Sequence, residues 1–520
     1  MGALTLTPLI ARLDARRARP RARARAFAAS ASSGRYSLGL DVGTQGTKAI
    51  LYDLETHEVA GRGALSYGLL PAPGRPNAAE QDPETWMEGI RVSVAAALES
   101  ARAVPEDIAA VGVSGQQHGL VCLDARGAVL RPAKLWCDTE SAAEAAELGA
   151  VFGWAMQAGF TSSKALWLKR NEPDAWDATR TVLLPHDYVN YRLTGVLAME
   201  AGDASGLGVM DLTDRAFRSD WCDAVDPKFA STLPDLLPPD VALGETTRDA
   251  SSTLGIPAGV PVSVGSGDNM MSAVGAGCVS EGRLVISLGT SGTLFGYSNA
   301  PVFDPTGAVA PFCDATGGYL PLLCTMNCTR VAEEAREAFG AGMSHDELAA
   351  LAANIPAGSD GVRFLPYLVG ERSPNWPGAS GALTGIRPGS LASPGTMYRA
   401  AIEGATYSLL AGVRRMRELG LPAPTELAAV GGGSKSKFWR QIVADVFDAR
   451  VRRPTEPESA ALGAAMQAAA TLEGATVRAY VDAHPPPYAE DEETPNEDAV
   501  KAHAENYEAF VAEGEALFGR

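Results

Sequence analysis

The 520-residue chain lacks any run of 18 or more apolar residues, so no membrane span is expected. Basic residues are in the minority, with 44 lysines and arginines against 62 aspartates and glutamates, and the net charge is −18. Because a protein that binds nucleic acid needs a basic surface for the phosphates, nucleic acid is not an expected partner.

Two kinds of cysteine and glycine motif are also absent. None of the seven cysteines forms a CxxC pair, and no histidine or further cysteine completes a zinc site beside Cys324 and Cys328. We therefore expect free thiols. The spacing GxxxxGK[ST] occurs nowhere, which argues against a P-loop enzyme.

The first 34 residues differ in composition from the rest. They hold seven arginines and one acid, Asp14, and end in the alanine- and serine-rich AFAASASS from Ala26. This composition is typical of an organelle transit peptide, and we expect the plastid (chloroplast stroma), with the mitochondrion or cytoplasm as alternatives. A basic RNA-binding arm is the rival interpretation, although no aromatic residues are interleaved.

The rest of the chain is too long for one ordinary core and predicts two domains. The segment YSLGLDVGTQGTKAILYDL from Tyr36 predicts a strand, a Gly/Thr turn and a second strand, and helical periodicity follows in ETWMEGIRVSVAAALESARA. The buried strand IAAVGVSG from Ile108 comes next. Strands that alternate with helices indicate an α/β fold.

A second segment repeats the first. GRLVISLGTSGTLFGYS from Gly282 again predicts strand, Gly/Thr turn and strand, which suggests a duplicated domain; chance similarity of glycine-rich turns is the alternative. We expect a leader over 1–34 and domains over 35–278 and 279–520. The proline-rich, acidic segment from His484 predicts a surface linker, and the tail from Ala499 an amphipathic helix.

Two motifs place an aspartate at the end of an apolar strand. In DVGTQGTK, small residues leave backbone N–H groups open to a phosphate, and Asp41 is costly to bury unless it meets a cation such as Mg²⁺. In VSVGSGDN, Asp268 can accept a proton from a hydroxyl group. A plain hairpin turn and a helix N-cap are the respective alternatives.

Two further motifs supply polar groups or close approach. Gln117 and His118 follow a buried strand in GQQHGL, and amide and imidazole groups suit hydrogen bonding to sugar hydroxyls, although a loop histidine is often incidental. The glycines of AAVGGGSKSKFW, from Ala428, permit close contact with a flat ring or a phosphate. A triple glycine alone carries little weight.

Taken in order, these motifs resemble the FGGY family of carbohydrate kinases, within the actin-like ATPase superfamily. The resemblance runs from about Tyr36 to the end. It also rests on GFTSSKALWLKRNEP from Gly159, LLPHDYVNYRLTG from Leu183, DASG from Asp203, FLPYLVGERSP from Phe364 and ESAALGAA from Glu458. EQDPETWM from Glu80, SGQQHG and LWCD are most similar to the xylulose kinases of the family.

The resemblance implies two actin-like (ribonuclease H-like) ATPase domains with a cleft between them. It implies ATP-dependent phosphorylation of D-xylulose to D-xylulose 5-phosphate, with Asp268 as general base and Asp41 serving Mg²⁺. The expected partners are a small sugar and ATP, with neither nucleic acid nor membrane, and a homodimer is left open. Another FGGY activity on D-ribulose, glycerol or gluconate is the alternative, followed by a non-catalytic actin-like ATPase.

The resemblance also implies the binding residues. The sugar is expected to contact Gln117, His118 and Asn269 as well as Asp268. The nucleotide is expected to contact Thr44, Gly289, Thr290, Gly432, Gly433 and Ser436. The sequence departs from the family after LWCD, where Thr139 and Glu140 follow Asp138 and the arginine common two places after that aspartate is absent.

Overall fold

A computed structural model describes residues 34–519. The predicted leader, apart from its last residue, lies outside this range. Over residues 34–519, no helix combines the length and the apolar character that crossing a bilayer requires.

The first β-sheet is built mainly from the first half of the chain. Its central strands are buried along their whole length, which is the pattern of strands covered on both faces. The strands are β1 (Tyr36–Val42), β2 (Gly46–Asp53), β3 (Val59–Ser66), β4 (Ile108–Gly115), β5 (Ala242–Glu245), β6 (Pro261–Ser263) and β7 (Ser266–Gly267). Their order is β5-β6-β4-β1-β2-β3, with β7 also paired to β4.

The second sheet comes from the second half of the chain. Its strands are β8 (Arg283–Leu288), β9 (Gly292–Gly296), β10 (Ala310–Cys313), β11 (Tyr319–Thr325), β12 (Glu426–Val430), β13 (Arg450–Pro454) and β14 (Tyr488–Glu493). Their order is β10-β11-β9-β8-β12-β13-β14.

The two sheets share one strand arrangement. In the first, β1 is antiparallel to β2, β2 is antiparallel to β3, and β1, β4 and β6 are parallel neighbours. In the second, β8, β9 and β11 form the antiparallel part, and β8, β12 and β13 are the parallel neighbours. The duplicated unit expected from the two Gly/Thr turns is therefore present in the fold.

Helices cover the sheets. They are α1 (Pro83–Ala101), α2 (Ala142–Phe152), α3 (Thr161–Asn171), α4 (Pro173–Ala178), α5 (Pro185–Thr194), α6 (Ala201–Ala204), α7 (Ser219–Val225), α8 (Phe229–Thr232), α9 (Arg248–Leu254), α10 (Asp268–Gly275), α11 (Thr329–Phe339), α12 (His345–Ala352), α13 (Pro394–Glu418), α14 (Lys437–Phe447), α15 (Ser459–Glu473), α16 (Val477–Ala483) and α17 (Glu497–Phe518). The last of these is the helix predicted from Ala499.

Short two-stranded ribbons complete the structure. They pair Glu80–Gln81 with Ala133–Lys134, Val121–Leu123 with Thr181–Leu183, Met199–Glu200 with Leu236–Leu237, Met210–Asp211 with Ala216–Phe217, and Arg363–Leu365 with Ala382–Thr384.

Helix α15 belongs to the second half of the chain but packs against strands β1 and β4 of the first sheet and against helix α10. Glycines make this contact close: a Cβ atom at Gly39 would lie 1.9 Å from the Ala461 carbonyl oxygen, and one at Gly112 would lie 1.9 Å from that of Ala464. The core under the first sheet accordingly includes apolar residues of both α15 and α16. We call the first sheet with these helices the first lobe, and it is not contiguous in sequence, unlike the expected domain over 35–278.

The segment predicted as a surface linker is partly a strand, so that prediction is corrected. Strand β14 pairs antiparallel with β13 at the edge of the second sheet. Its acids meet arginines: Arg440, which is 2% exposed, binds Glu493 through its Nε at 2.8 Å and Asp491 through its Nη2 at 2.5 Å. Because Arg440 is far from β14 in sequence, the acidic composition of the segment gives no sign of this ion pair and is typical of a solvated segment.

Candidate active site

Three predicted segments lie at the carboxyl ends of neighbouring parallel strands in the first sheet. In register, Asp41 of β1 lies opposite Ser114 of β4, and Ser266 of β7 also lies opposite Ser114. The turn after β1, the loop of Gln117 and His118, and Asp268 therefore start from one edge of the sheet. Ligand sites in open α/β sheets form at such an edge.

Asp41 is buried at the end of β1. The Ser114 hydroxyl donates a hydrogen bond to its Oδ1 at 2.8 Å, and Lys48 Nζ lies 3.9 Å from its Oδ2. Burial raises the pKa of Asp41, while Lys48 and Ser114 oppose the rise. Lys48 is bound more closely by Glu458, at 2.6 Å. Among residues 34–519, one carboxylate oxygen of Asp41 thus has only a distant cation beside it, and such an oxygen suits a hard metal ion.

Thr44 lies in the turn between β1 and β2, but its hydroxyl is already engaged. It donates to Gln116 Oε1 at 2.9 Å and accepts from Trp136 Nε1 at 2.9 Å, while Gln81 Nε2 donates to the Thr44 carbonyl at 2.7 Å. The hydroxyl proton is therefore unavailable to a phosphate unless Gln116 releases it. A phosphate contact at this turn is better supplied by backbone N–H groups.

Asp268 is the first residue of α10, and Gly267 is its N-cap. Its Oδ1 accepts from both the backbone N–H and the side-chain Nδ2 of Asn269, at 2.8 and 3.0 Å. Burial, followed by the charges of Asp41 and Asp203, raises the pKa of Asp268 to about 8. Because Gly267 occupies the N-cap position, the alternative that Asp268 is the N-cap is wrong. With its raised pKa, Asp268 has the proton affinity of a base that works near neutral pH.

Gln117 and Asn269 are brought together beside this carboxylate. Asn269 Nδ2 donates to Gln117 Oε1 at 2.7 Å, and the buried Nε2 of Gln117 has no hydrogen-bond partner among residues 34–519. Buried amide donors are rarely left unsatisfied, so this N–H is available to a ligand oxygen.

His118 is held in an uncommon backbone conformation, with φ at +62°. Its carbonyl oxygen accepts hydrogen bonds from Thr161 Oγ1 and Lys164 Nζ, each at 3.0 Å. Its ring is stacked on Phe160 and tilted against Phe312, with centroids 5.3 and 5.1 Å away. Burial, followed by the charge of Lys164, lowers the pKa of His118 to about 3, so the imidazole is neutral at physiological pH.

The second sheet presents the remaining predicted residues. Gly289 and Thr290 form the turn after β8, and Gly432 and Gly433 follow β12, which is the parallel neighbour of β8. Gly431 has φ at +82°, and a Cβ atom at Gly432 would meet nothing within 4 Å. The two turns therefore share one sheet edge and leave open space. Ser436 is the N-cap of α14 and accepts from the Trp439 N–H at 3.3 Å.

Several residues at this site were not singled out from the sequence. Ser114 and Lys48 flank Asp41, and His186 and Glu200 contact Asp203, which lies 4.0 Å from His118. Ser114 had a signal, because it is a polar residue near the end of a fully buried strand. His186 lies within LLPHDYVNYRLTG, but nothing in that segment indicates its partner.

Glu80, Asp138 and Glu140 form a further group of three carboxylates. It is filled by cations: Lys134 Nζ is 3.0 Å from Asp138 and 2.5 Å from Glu140, and Arg75 binds both glutamates. At the position two places after Asp138, where the family commonly has an arginine, Glu140 therefore forms ion pairs with Arg75 and Lys134.

Family models match both halves of the chain. The N-terminal domain of the FGGY family of carbohydrate kinases matches residues 36–275, and its C-terminal domain matches residues 284–472. The chain belongs to the FGGY family of carbohydrate kinases. The resemblance is thereby confirmed, and with it a sugar kinase with the two-domain α/β fold.

Individual FGGY relatives agree with this assignment. The chain is 38% identical to a xylulose kinase of Haemophilus influenzae, over 83% of this chain and 90% of the relative. It is 38% identical to a xylulose kinase of Streptomyces coelicolor, over 86% and 90%. Among solved structures, a xyloylose kinase from Brucella ovis superimposes with a TM-score of 0.84 at 32% identity, covering 93% of this chain and 99% of that chain.

Proposed function

We propose that this FGGY kinase transfers the γ-phosphate of ATP to D-xylulose, giving D-xylulose 5-phosphate and ADP. One observation carries the proposal: the strand register places Asp41, the loop of Gln117 and His118, and Asp268 at one sheet edge. Similarity to xylulose kinases over most of both chains supports the choice of sugar.

Asp268 is the proposed general base. It accepts the proton of the terminal hydroxyl, O5 of the sugar, as that oxygen bonds to the γ-phosphorus. The bond from this phosphorus to the β–γ bridging oxygen breaks, and ADP leaves with the electron pair. A pKa raised to about 8 makes Asp268 a strong enough base for this step.

Asp41 is the proposed residue that holds Mg²⁺. The fit rests on its buried carboxylate, of which one oxygen is bound by Ser114 and the other lies 3.9 Å from Lys48. When bound, Mg²⁺ neutralises phosphate charge during phosphoryl transfer. Lys48 is positioned to add a second positive charge beside the same carboxylate.

Substrate contacts are proposed for residues at the edges of both sheets. Gln117, Asn269 and His118 offer an unpaired amide N–H, an amide and a neutral imidazole to the sugar. The turns of Gly289 and Thr290 and of Gly432 and Gly433, which are exposed or half-buried, offer backbone groups to the nucleotide. We retain Thr44 through its backbone, and Ser436 at the adenosine end, within the same proposal.

The proposal is tested by coupled ADP release from the full chain with D-xylulose, D-ribulose, L-ribulose, glycerol and gluconate in parallel. We expect strong preference for D-xylulose. Preference for another polyol would replace the substrate and leave the family unchanged. Absence of any sugar-dependent turnover would contradict the kinase function.

Asp268→Asn gives the matching active-site test. We expect kcat to fall by about 10²–10⁴-fold, because the amide cannot accept the proton, while the nucleotide still binds. Asp249→Asn, on the exposed first turn of α9, is the control and is expected to leave kcat unchanged. Near-normal turnover by Asp268→Asn would rule out its role as base.

We also propose that residues 1–34 direct the protein to the plastid. The support is compositional: seven arginines, one acid and a run of alanines and serines. Imaging of a fluorescent fusion with and without these residues tests the proposal, and mitochondrial or cytoplasmic signal would contradict it. A homodimer stays a prediction, which light scattering of the purified protein checks.

A further inference from the structure

Two buried polar atoms face each other behind the sugar-binding loop. His118 Nδ1 lies 4.0 Å from Asp203 Oδ1, and neither atom has a hydrogen-bond partner within residues 34–519. This distance is too long for a hydrogen bond. Nearly all buried polar groups in proteins form hydrogen bonds. Two facing polar atoms without partners therefore indicate a hydrogen bond that forms in another state of the site.

Aromatic rings, two hydrogen bonds to the backbone carbonyl and a glycine surround the ring of His118. Phe160 and Phe312 pack against the ring, and Thr161 and Lys164 hold the backbone carbonyl. On the Nδ1 side lies Gly206, where a Cβ atom would be 1.9 Å from Nδ1. A ring movement on the order of 1 Å would bring Nδ1 within hydrogen-bonding distance of Asp203.

A second histidine, His186, is hydrogen-bonded to Asp203. His186 Nδ1 lies 2.9 Å from Asp203 Oδ2, and its Nε2 lies 3.0 Å from Asp187 Oδ1, with all three side chains buried. The Nε2 atom has no hydrogen-bond partner within residues 34–519, so its contact with Asp187 is electrostatic. Although burial opposes it, the two carboxylates raise the pKa of His186 well above its ordinary value. Burial raises the pKa of Asp203, and the hydrogen bond and charge of His186 oppose that rise.

We propose that Asp203 is a positioning residue for the sugar: it accepts the Nδ1–H of His118 when the substrate is bound. His118 Nε2 is then a lone-pair acceptor, so it selects a sugar hydroxyl, which can donate, over a carbonyl or ether oxygen at that position. This inference rests on the proposed contact between His118 and the sugar.

Asp203→Asn tests the proposal in the full chain. Asparagine has one acceptor oxygen, which His186 requires, so its NH₂ group turns to His118 Nδ1 and forces the proton onto Nε2. We expect the KM for D-xylulose to rise tenfold or more while the KM for ATP stays within twofold. In a His118→Ala background, the same substitution is expected to add no further rise.

Asp187→Asn is the matched control. It removes a carboxylate from the same His186 ring but does not face His118, so it is expected to lower Tm without the sugar-specific rise in KM. An equal rise in the two variants, no rise in Asp203→Asn, or a full additional rise in the His118→Ala background would overturn the proposal.

Histidine ¹⁵N NMR of the wild-type protein with saturating D-xylulose gives a second readout that survives misfolding of a variant. His118, assigned by its loss in His118→Gln, is expected as the Nδ1–H tautomer, and an Nε2–H tautomer would overturn the proposal. Wild-type protein without sugar-dependent turnover would instead remove the proposed function, and this inference with it. Wild-type turnover with an unchanged KM in Asp203→Asn removes this inference alone.

Discussion

At the scale of single residues, the site is governed by carboxylates whose surroundings differ. Asp41 has Ser114 and Lys48 beside it, whereas Asp268 has Asn269 and lies in the field of two other acids. The first is therefore suited to a cation and the second to a proton. Environment separates two roles that the same side chain could fill.

The raised pKa of Asp268 predicts the pH dependence of the reaction. The carboxylate must be ionised to accept a proton, and a folded-state pKa of about 8 means that the ionised fraction falls about tenfold for each pH unit below that value. We expect kcat/KM for D-xylulose to show an acidic limb far above the ordinary range of an aspartate. A profile that stays flat down to pH 5 would contradict this.

Ser114→Ala is predicted to weaken Mg²⁺ use. Loss of the 2.8 Å hydrogen bond removes the donor that fixes Asp41, and loss of such a partner lowers metal affinity by about tenfold or more. The measurement is the Mg²⁺ concentration that gives half-maximal rate. Ser93→Ala removes a similar buried hydrogen bond, to the Thr47 carbonyl, and is expected to leave that concentration unchanged.

The residues named from the sequence are those whose motif carries its own chemistry. Asp41, Asp268, Gln117 and Asn269 stand beside turn glycines at strand ends, and the family resemblance assigns them to one site. The contact of His186 with Asp203 is not, because it depends on how α5 and α6 are packed, and a buried histidine gives no sequence signal of its partner.

At the scale of elements, the two Gly/Thr hairpins were predictable from their period and turn residues. Strand β14 was not, because its pairing depends on arginines from β13 and α14 that are far away in sequence. An acidic, proline-rich segment satisfies the same local rules whether it is solvated or paired. Local composition therefore predicts the turns beside β14 but not the strand and the arginines with which β14 pairs.

The ion pair that fixes this strand is predicted to matter for stability. Arg440→Ala leaves Glu493 buried without its cation and is expected to lower the free energy of unfolding by about 3–5 kcal/mol. Arg450→Ala is the control, because the Arg450 side chain is 46% exposed in its pair with Glu426, and it is expected to cost less than about 1 kcal/mol. Urea unfolding of both variants measures the difference, and equal losses would contradict the role of burial.

At the scale of the whole molecule, the chain divides into lobes that are not contiguous segments. The segment ESAALGAA from Glu458 is recognisable in the sequence as a family motif, but the sequence does not show that it belongs to a helix on the first sheet. That placement depends on the flat surface left by Gly39 and Gly112, which only three-dimensional packing reveals.

Residues 34–281 alone are therefore predicted not to form a stable first lobe. Without α15 and α16, the face of the sheet that carries Gly39 and Gly112 is left open, and apolar core residues become exposed. Circular dichroism and urea unfolding of this fragment are expected to show no cooperative transition. Appending residues 459–483 through a flexible linker is expected to restore one, and a cooperative transition of the fragment without them would contradict the prediction.

The position of α15 also sets the order in which the protein can be completed as it is made. A ribosome synthesises the chain from its N-terminus, yet the first lobe lacks a covering helix until residue 473 has left the exit tunnel. The lobe that begins first therefore cannot finish first. Its sheet stays incompletely covered while nearly all of the second sheet and its helices are synthesised. During this interval the exposed apolar surface available to a chaperone is largest.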